Sequence, residues 1–358
     1  MERNPRLTRL SLREFRCFGS LDYEPGPRLS FLTGPNARGK TTLLEAACAL
    51  LRLRSPRTSD LREMVRFGSG AFSLEGIHGG VRMGFASTPP SRVLKLDGVV
   101  QSGTADYLSQ GRIVWFGSED LQLVNGPAER RRKLIDAAGL QVSGDGMPEI
   151  SGYGRDLKDY DRALRSRNLL LREGKPRSEI EAYDGPLSRA GDRLLVARET
   201  LVAALAPLAA EACAAISGES LELSYIPGAS GSMQEALEKS RPEEIRLRQT
   251  RIGPQRDDIG LLLNGIPAGS FASEGQRRTV SLSLKLAVAA LLTRVNGSSP
   301  ILLLDDIFGE LDPRRRDALL EGMPLGSQAL LTTADLGSIV LPADSVVHRF
   351  GESGLERM

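Results

Sequence analysis

The sequence predicts an α/β fold in which a mixed sheet with flanking helices is interrupted by an inserted, mainly helical lobe. Three observations predict this fold. A glycine-rich turn at 34–41 separates a strand pattern from a helical pattern, and the apolar run ILLL at 301–304 ends in two acidic residues. Between about 117 and 249 the strand signals fade. Strands and helices that alternate around such turns are typical of α/β domains.

Strands are expected on both sides of the insert. Residues 7–33 alternate apolar and charged side chains and end in the run LSFLTG. Asp97-Gly98 and Asn264-Gly265 each stand between apolar runs, which is the signal of a β-hairpin. ILLL and QALLTT are short apolar runs, so both are expected to be buried strands.

The insert differs from its surroundings because Ala, Leu, Arg and Glu dominate it. Helices are expected there, broken by glycine and proline clusters. We therefore predict a split head formed by 1–116 and 250–358, and a helical lobe formed by 117–249. Within the head, 41–53 and the almost entirely apolar stretch 279–294 are expected to be helices.

The composition is that of an ordinary globular protein, with 358 residues and a formal net charge of +2. Any DNA-binding surface would therefore be a local patch. The three cysteines and two histidines lack ligand spacing, which argues against a disulfide framework and a zinc site. The first residues lack an apolar signal region, and we expect no segment of membrane-spanning length. A cytoplasmic location is the simplest expectation.

Residues 34–41 match the pattern G-x-x-x-x-G-K-[ST] between a strand and a helix. Backbone N–H groups of such a loop and the N-terminus of its helix bind the phosphates of ATP. Lys40 would reach the β- and γ-phosphates, and the Thr41 hydroxyl would bind Mg²⁺. A glycine turn that only happens to hold a lysine is the alternative, and the complete motif disfavours it. The expected ATP contacts are Gly34, Pro35, Asn36, Ala37, Arg38, Gly39, Lys40, Thr41 and Thr42.

Asp305 and Asp306 follow the buried run ILLL, at the end of a strand where α/β proteins bind ligands. Asp305 would hold Mg²⁺, directly or through water. Asp306 would act as the general base toward the attacking water, with Lys40 as the second catalytic residue. Taken alone, two acids after a strand can equally be turn or capping residues; the glycine-rich loop favours the metal site.

Ser273, Gly275 and Gln276 open the apolar helix as SEGQ. A capping box between Ser273 and Gln276 explains two of them. It does not explain Gly275, because glycine in a first turn costs roughly 0.5–1 kcal/mol relative to alanine. A serine hydroxyl and bare amides at a helix N-terminus can also bind an anion. S-x-G-Q, a helix, four aliphatic residues, two acids and GELD resemble, in that order, the ABC ATPase superfamily.

This resemblance implies a homodimer that forms on ATP binding and holds two ATP molecules between its protomers. Ser273, Gly275 and Gln276 would then contact ATP held by the other protomer. Glu310, Leu311 and Asp312 would form the D-loop, which faces the partner.

Several stretches resemble, in order, the bacterial RecF family of DNA-repair ATPases, which is related to Rad50 and SMC heads. They include LREFRCF, GPNARGKTTLLEA, SPRTSDLREMVRFG, GPAERRRKLID and GPQRDD. The insert is too short and too often broken for the long coiled coil of Rad50. Gln255 stands where the family usually has histidine, so we assign it no role. TTAD lacks a histidine switch, so Thr333 or Asp335 would have to sense the γ-phosphate.

The RecF resemblance implies ATP-dependent binding to duplex, gapped or junction DNA. It also implies loading of RecA with RecR and RecO during recombination, replication and the SOS response, and weak DNA-stimulated ATP hydrolysis. Basic runs in the insert are the candidate DNA contacts, although a solvated surface balanced by acids is the alternative. Aromatic residues are scarce there, which favours contact with the DNA backbone over base stacking. These candidates are Arg130, Arg131, Arg132, Lys133, Arg162 and Arg165.

Three other functions would use parts of the same motifs. The ATPase subunit of a transporter is opposed by the large insert and the missing histidine switch. A defence ATPase with a nuclease is opposed by the lack of an acid-rich block after Asp335. A small-molecule kinase would leave S-x-G-Q and GELD unexplained.

Overall fold

The computed structural model describes residues 4–142, 146–337, 341–351 and 354–358. The chain divides into two compact units. Unit 1 comprises Met1–Asp120 and Val288–Met358, and unit 2 comprises Leu121–Ala287.

The described residues form the following strands and helices, each set numbered in chain order. The strands are β1 (Leu7–Phe15), β2 (Phe18–Tyr23), β3 (Leu29–Thr33), β4 (Phe72–His78), β5 (Val81–Thr88), β6 (Ser91–Leu96), β7 (Val99–Val100), β8 (Ile113–Phe116), β9 (Leu221–Ile226), β10 (Asp258–Leu263), β11 (Ile266–Pro267), β12 (Ile301–Leu304), β13 (Ala329–Thr333), β14 (Ser345–Phe350) and β15 (Leu355–Arg357). The helices are α1 (Lys40–Arg52), α2 (Ala105–Ser109), α3 (Gln122–Asn125), α4 (Ala128–Gly139), α5 (Tyr153–Glu173), α6 (Arg177–Glu181), α7 (Asp184–Ser217), α8 (Met233–Leu247), α9 (Ala268–Phe271), α10 (Glu274–Asn296) and α11 (Pro313–Gly322).

Unit 1 contains two sheets with α1 packed against both. The first sheet is antiparallel, in the order β2-β1-β4-β5-β6-β7. The second has the order β15-β14-β3-β13-β12-β8, and all its strands except β15 are parallel. Every residue of β3, β12 and β13 is buried, which explains why these strands are continuous apolar runs in the sequence.

Both expected hairpins are present. Asp97 and Gly98 connect β6 to β7, and Asn264 and Gly265 connect β10 to β11. All four turn residues have positive φ angles, between 47° and 86°. This backbone is the one for which Asp-Gly and Asn-Gly pairs are favoured in two-residue turns.

Unit 2 consists of helices around α7, together with the antiparallel sheet β11-β10-β9. Its second limit, at Ala287, lies well beyond the predicted end of the insert at 249. The difference arises because β10 pairs with β9 along its whole length, which places 258–263 in unit 2. Composition alone could not reveal this pairing.

Two helical segments are long and apolar enough to cross a membrane, contrary to our expectation of none. They are Arg177–Ser217 and Glu274–Asn296, whose apolar windows have mean hydropathies of 1.7 and 1.2. Of these windows, 33% and 67% are buried inside the protein. Length and composition are weak evidence here, since the core helix of a protein that never meets a membrane passes the same test.

Candidate functional site

The predicted site residues of unit 1 follow neighbouring parallel strands. Thr33 at the end of β3 pairs with Thr333 at the end of β13, and Leu331 of β13 pairs with Leu304 at the end of β12. The segments 34–39, 305–307 and 334–337 therefore leave the same edge of the sheet. Ligands of open α/β sheets bind at this edge.

The backbone of the glycine-rich loop takes conformations that suit a phosphate cradle. Gly34, Ala37 and Gly39 have φ angles of 134°, 63° and 98°. A Cβ on Gly34 would lie 2.6 Å from the carbonyl oxygen of Phe350, and one on Gly39 would collide with the ring of Phe18. Only glycine fits at both positions, because their φ angles and their neighbours exclude a side chain.

The Lys40 ammonium lies inside this loop, and the residue is only 7% exposed. Its Nζ donates to the carbonyl oxygens of Gly34 at 2.6 Å and Pro35 at 3.0 Å, and to Asn36 Oδ1 at 3.5 Å. Burial lowers the pKa of Lys40, although the carboxylates of Asp306 and Asp305 act in the opposite direction. Its hydrogen-bond acceptors are all neutral oxygens, so its charge can still attract a bound anion.

Thr41 contacts the acidic pair directly. Its hydroxyl donates to Asp305 Oδ1 at 2.7 Å, and the Thr332 hydroxyl donates to the same oxygen at 2.9 Å. The Asp306 amide donates to Thr332 Oγ1 at 2.8 Å, which fixes the turn after β12. The structure thus brings together the two residues that were predicted, 264 positions apart in sequence, to bind one metal ion.

Asp306 is exposed, and its φ angle of 55° is one that aspartate tolerates better than most residues. Desolvation raises its pKa, and the neighbouring Asp305 carboxylate raises it further, while Lys40 lowers it. A carboxylate with a raised pKa is a stronger proton acceptor, which suits a general base.

The remaining loop residues differ in how far they reach solvent. Pro35, Asn36, Ala37 and Arg38 are exposed, whereas Thr42 is buried with its hydroxyl 3.8 Å from Cys17 Sγ. Thr42 Oγ1 accepts from the Cys17 thiol, and a contact between ATP and the Thr42 side chain stays a prediction.

The predicted D-loop is only partly available to a partner. Leu311 is 3% exposed, so its side chain packs in the core, and a partner contact of this residue stays a prediction. Asp312 caps α11 by accepting the Arg315 amide at 3.0 Å, with Pro313 as the first helical residue. The exposed side chains of this segment are those of Glu310 and Asp312. Thr333 is buried, and its hydroxyl donates to the Asp335 carbonyl at 2.8 Å.

The SEGQ segment lies in unit 2 and forms the expected capping box. The Ser273 amide donates to Gln276 Oε1 at 2.8 Å, and the Gln276 amide donates to Ser273 Oγ at 3.3 Å. Gln276 Nε2 also donates to Glu219 at 2.7 Å, which holds the glutamine side chain inside its own unit. Ser273 is exposed and its hydroxyl proton is directed by none of these bonds, so it can still donate to an outside anion.

The basic residues predicted to contact DNA fall into two groups. Arg131 is almost buried, with an ion pair to Asp258, and Arg132 donates to the Asp257 carbonyl at 2.7 Å. The Arg131 guanidinium is thus paired within unit 2, and a DNA contact of this residue stays a prediction. Lys133, Arg162 and Arg165 are exposed and have acidic or carbonyl neighbours, while Arg130 is half-buried. For these residues a DNA contact stays a prediction.

Sequence reasoning missed a buried carboxylate in the helix that follows the loop. Glu45 is fully buried and pairs with Arg16 at 2.5 Å and Arg57 at 3.3 Å, while the Ser55 hydroxyl donates to it at 2.5 Å. These partners come from the turn before β2 and from the segment after α1. An acidic residue inside the otherwise apolar run LLEAACALL was the available signal.

The oxygen atoms at the sheet edge fit a nucleotide with Mg²⁺. Thr41 and Asp305 supply a hydroxyl and a carboxylate, which are hard ligands of the kind this ion takes beside phosphates. Within the described ranges, no group of three or more His, Cys, Asp or Glu is placed to hold a metal. Two protein ligands agree with an ion that completes its shell from phosphate and water.

Proteins of known function resemble this chain over nearly its full length. A family model described as an AAA domain matches residues 9–97. The DNA replication and repair protein RecF of Thermosynechococcus vestitus is 37% identical over 357 residues, covering 94% of this chain and 92% of that protein. RecF of Streptococcus pneumoniae is 34% identical over 346 residues, covering 92% and 93%. The chain belongs to the RecF family of DNA replication and repair proteins.

Solved structures agree with this membership. The recombination mediator protein RecF with ATP, of the RecFOR pathway, superposes with a TM-score of 0.88 at 27% identity, covering 99% of this chain and 98% of that one. An Smc head domain from Pyrococcus furiosus has a TM-score of 0.58 at 14% identity, covering 99% and 96%, and so shares the fold. The predicted ABC-type ATPase head is thus confirmed, as is the resemblance to RecF.

Proposed function

We propose that the chain binds ATP with Mg²⁺ and uses ATP binding to close a homodimer on duplex or gapped DNA. Slow, DNA-stimulated hydrolysis would then release the DNA. The relatives named DNA replication and repair protein RecF, and the RecF structure that holds ATP, support this proposal.

The observation that carries the proposal is the contact between Thr41 and Asp305 beside the buried Lys40. Lys40 would leave its carbonyl partners for the β- and γ-phosphates, while the loop amides hold the same phosphates. Thr41 and Asp305 would hold Mg²⁺, which neutralises phosphate charge when bound. Asp306 would orient the attacking water and accept its proton.

The exposed Ser273 turn supports the dimer. The Ser273 hydroxyl and the free backbone amides in the first turn of α10 form a site that suits an anion. Among the described residues, unit 2 contains no phosphate loop of its own that could supply this anion. A second copy would supply the γ-phosphate, with Gly275 allowing close approach and Glu310 and Asp312 facing the partner. RecR, together with RecO and RecA, is the proposed protein partner by family resemblance, and exposed Lys133, Arg162 and Arg165 would follow the DNA backbone.

Sedimentation velocity with Mg-ATP, with and without duplex DNA, tests the dimer. The wild type should form dimers that need ATP, whereas Ser273→Arg should stay monomeric while it still binds ATP. Ser178→Arg places the same charge on an exposed serine of α6 and should behave as the wild type. Monomers under every condition would remove the dimer mechanism, and dimers of Ser273→Arg equal to those of the wild type would remove the role of Ser273.

A further inference from the structure

Two sequence blocks to which the ATPase mechanism gives no role, GPAERRRKLID and GPQRDD, meet in unit 2. The guanidinium of Arg131, whose side chain is only 11% exposed, links them. Its Nε and Nη2 donate to the two Asp258 oxygens at 2.6 and 2.9 Å. Its Nη1 donates to the carbonyl oxygens of Leu123 at 3.1 Å and Gly126 at 3.0 Å.

These four bonds fix the ends of two different elements. Asp258 is the first residue of β10, Leu123 lies within the short helix α3, and Gly126 directly follows that helix. A planar guanidinium can make a two-bond contact with a carboxylate and still reach carbonyl groups on another side. A lysine ammonium keeps the charge but cannot reproduce this geometry.

Both elements support the turn that carries Ser273. β10 continues through its hairpin and β11 into α9, which ends at Phe271. α3 packs against α9, and a Cβ added to Gly269 would lie 3.0 Å from the carbonyl oxygen of Val124. The capping box sets the local geometry of Ser273, whereas the position of the whole turn depends on α10, which it opens, and on α9 with its two supports.

We infer that Arg131 is a positioning residue for the Ser273 turn, acting through Asp258 and α3. It governs closure of the ATP-dependent dimer without contacting nucleotide or DNA. This inference rests on the proposed function of Ser273 in the dimer. It gives the GPQRDD block a role, since Asp258, the last residue of that block, anchors the strand that leads to the Ser273 turn.

Arg131→Lys tests the inference because lysine keeps the positive charge but lacks the planar guanidinium that contacts both Asp258 and the carbonyl groups at α3. In Mg-ATP without DNA, the dimer dissociation constant should rise at least about tenfold, the effect of losing one charge-assisted contact. Asp258→Asn should act in the same direction. ATP binding by the monomer should not change, because the phosphate loop belongs to unit 1. Arg189→Lys makes the same exchange on the exposed surface of α7 and should leave the dissociation constant at the wild-type value.

Gly269→Ala perturbs the same support without any change of charge. The added methyl group has to move α3 or α9 by a few tenths of an ångström, so dimer formation should again weaken. Failure of the wild type to form ATP-dependent dimers would overturn the proposed function itself. A wild type that dimerises beside Arg131→Lys and Gly269→Ala variants with unchanged dissociation constants would overturn the positioning role alone. Loss of ATP binding in Arg131→Lys would also overturn it, because the role excludes any effect on unit 1.

Discussion

The acidic pair of unit 1 and the buried arginines of unit 2 use charge in opposite ways. The core of unit 1 is an apolar cluster around α1, and its acidic pair Asp305 and Asp306 lies at the sheet edge, where a ligand can reach it. In unit 2, arginines lie in the interior: Arg167 is fully buried and Arg198 is 3% exposed. The acidic pair of unit 1 is therefore available for chemistry, whereas the buried arginines of unit 2 hold its helices together.

The pairing in unit 2 is extensive. Arg167 contacts Asp184 and Glu244 at 2.8 Å, which joins α5, α7 and α8. Arg198 of α7 contacts Asp136 at 2.9 Å and Asp257 at 2.7 Å, which joins α4 to the GPQRDD block. The near balance of acids and bases in the insert thus reflects internal ion pairs as well as a solvated surface. A charge-rich helical segment does not reveal by itself which of the two it forms.

Removing a charge from unit 1 should cost activity. Asp306→Asn should lower the rate of ATP hydrolysis about 10²–10⁴-fold, the usual contribution of a general base. ATP-dependent dimers and the free energy of unfolding should be retained, because Asp306 is exposed. In the wild type, the acid limb of the rate profile should lie above the ordinary aspartate pKa, since partial desolvation and Asp305 raise the pKa of Asp306 more than Lys40 lowers it. Asp317→Asn, on the exposed surface of α11, is the control, and equal rates in both variants would contradict the role.

Removing a charge from unit 2 should cost stability. Arg167→Met leaves Asp184 and Glu244 with only part of their compensation, so the free energy of unfolding should fall by about 3–5 kcal/mol. Far-ultraviolet circular dichroism in urea follows the helices of this unit. Arg165→Met on the exposed side of the same helix should change stability by no more than about 0.5 kcal/mol. Similar losses for the two variants would mean that the buried pairs are not the source of stability.

The smallest expected effect is a pH dependence of the free energy of unfolding of unit 1. Burial lowers the pKa of His78 in unit 1 from 6.5 to about 4. As the pH falls, the unfolded chain therefore binds a proton on this histidine before the folded protein does. The contribution of neutral His78 to the free energy of unfolding is complete above pH 6.5 and is lost as the pH falls toward 4. The loss should reach about 3 kcal/mol, and His78→Leu should abolish it. Trp115, the single tryptophan, lies in β8 and reports the unfolding of unit 1 by fluorescence.

His348→Leu is the matched control for the pH experiment, since this histidine lies on β14 of unit 1 with its pKa also lowered by burial. His78 is unchanged in His348→Leu, so the pH dependence that His78 causes should survive in that variant. Full pH dependence in the His78→Leu variant would show that another group carries it.

Contiguous patterns predicted much of unit 1. The phosphate loop, the strand before Asp305, the Asp97-Gly98 hairpin and the Asp312 cap all depend on residues that are close in sequence. The part that could not be predicted depends on distant pairs. Arg131 meets a carboxylate 127 positions away, so the run RRRK resembles a DNA-binding surface until its partner is known. The position of Leu311 in the core likewise depends on packing that the GELD motif does not encode.

The order of strands in the second sheet has a consequence for synthesis. β3, which leads into the phosphate loop, has β14 on one side and β13 on the other, and both are made about 300 residues later. At ordinary elongation rates the delay is roughly 15–60 s. Throughout that time β3 is an apolar strand without a sheet partner, which is a hazard for aggregation on the ribosome. The nucleotide site forms only after β12 and β13 have been made, because Asp305 and Thr332 lie on or directly after these strands.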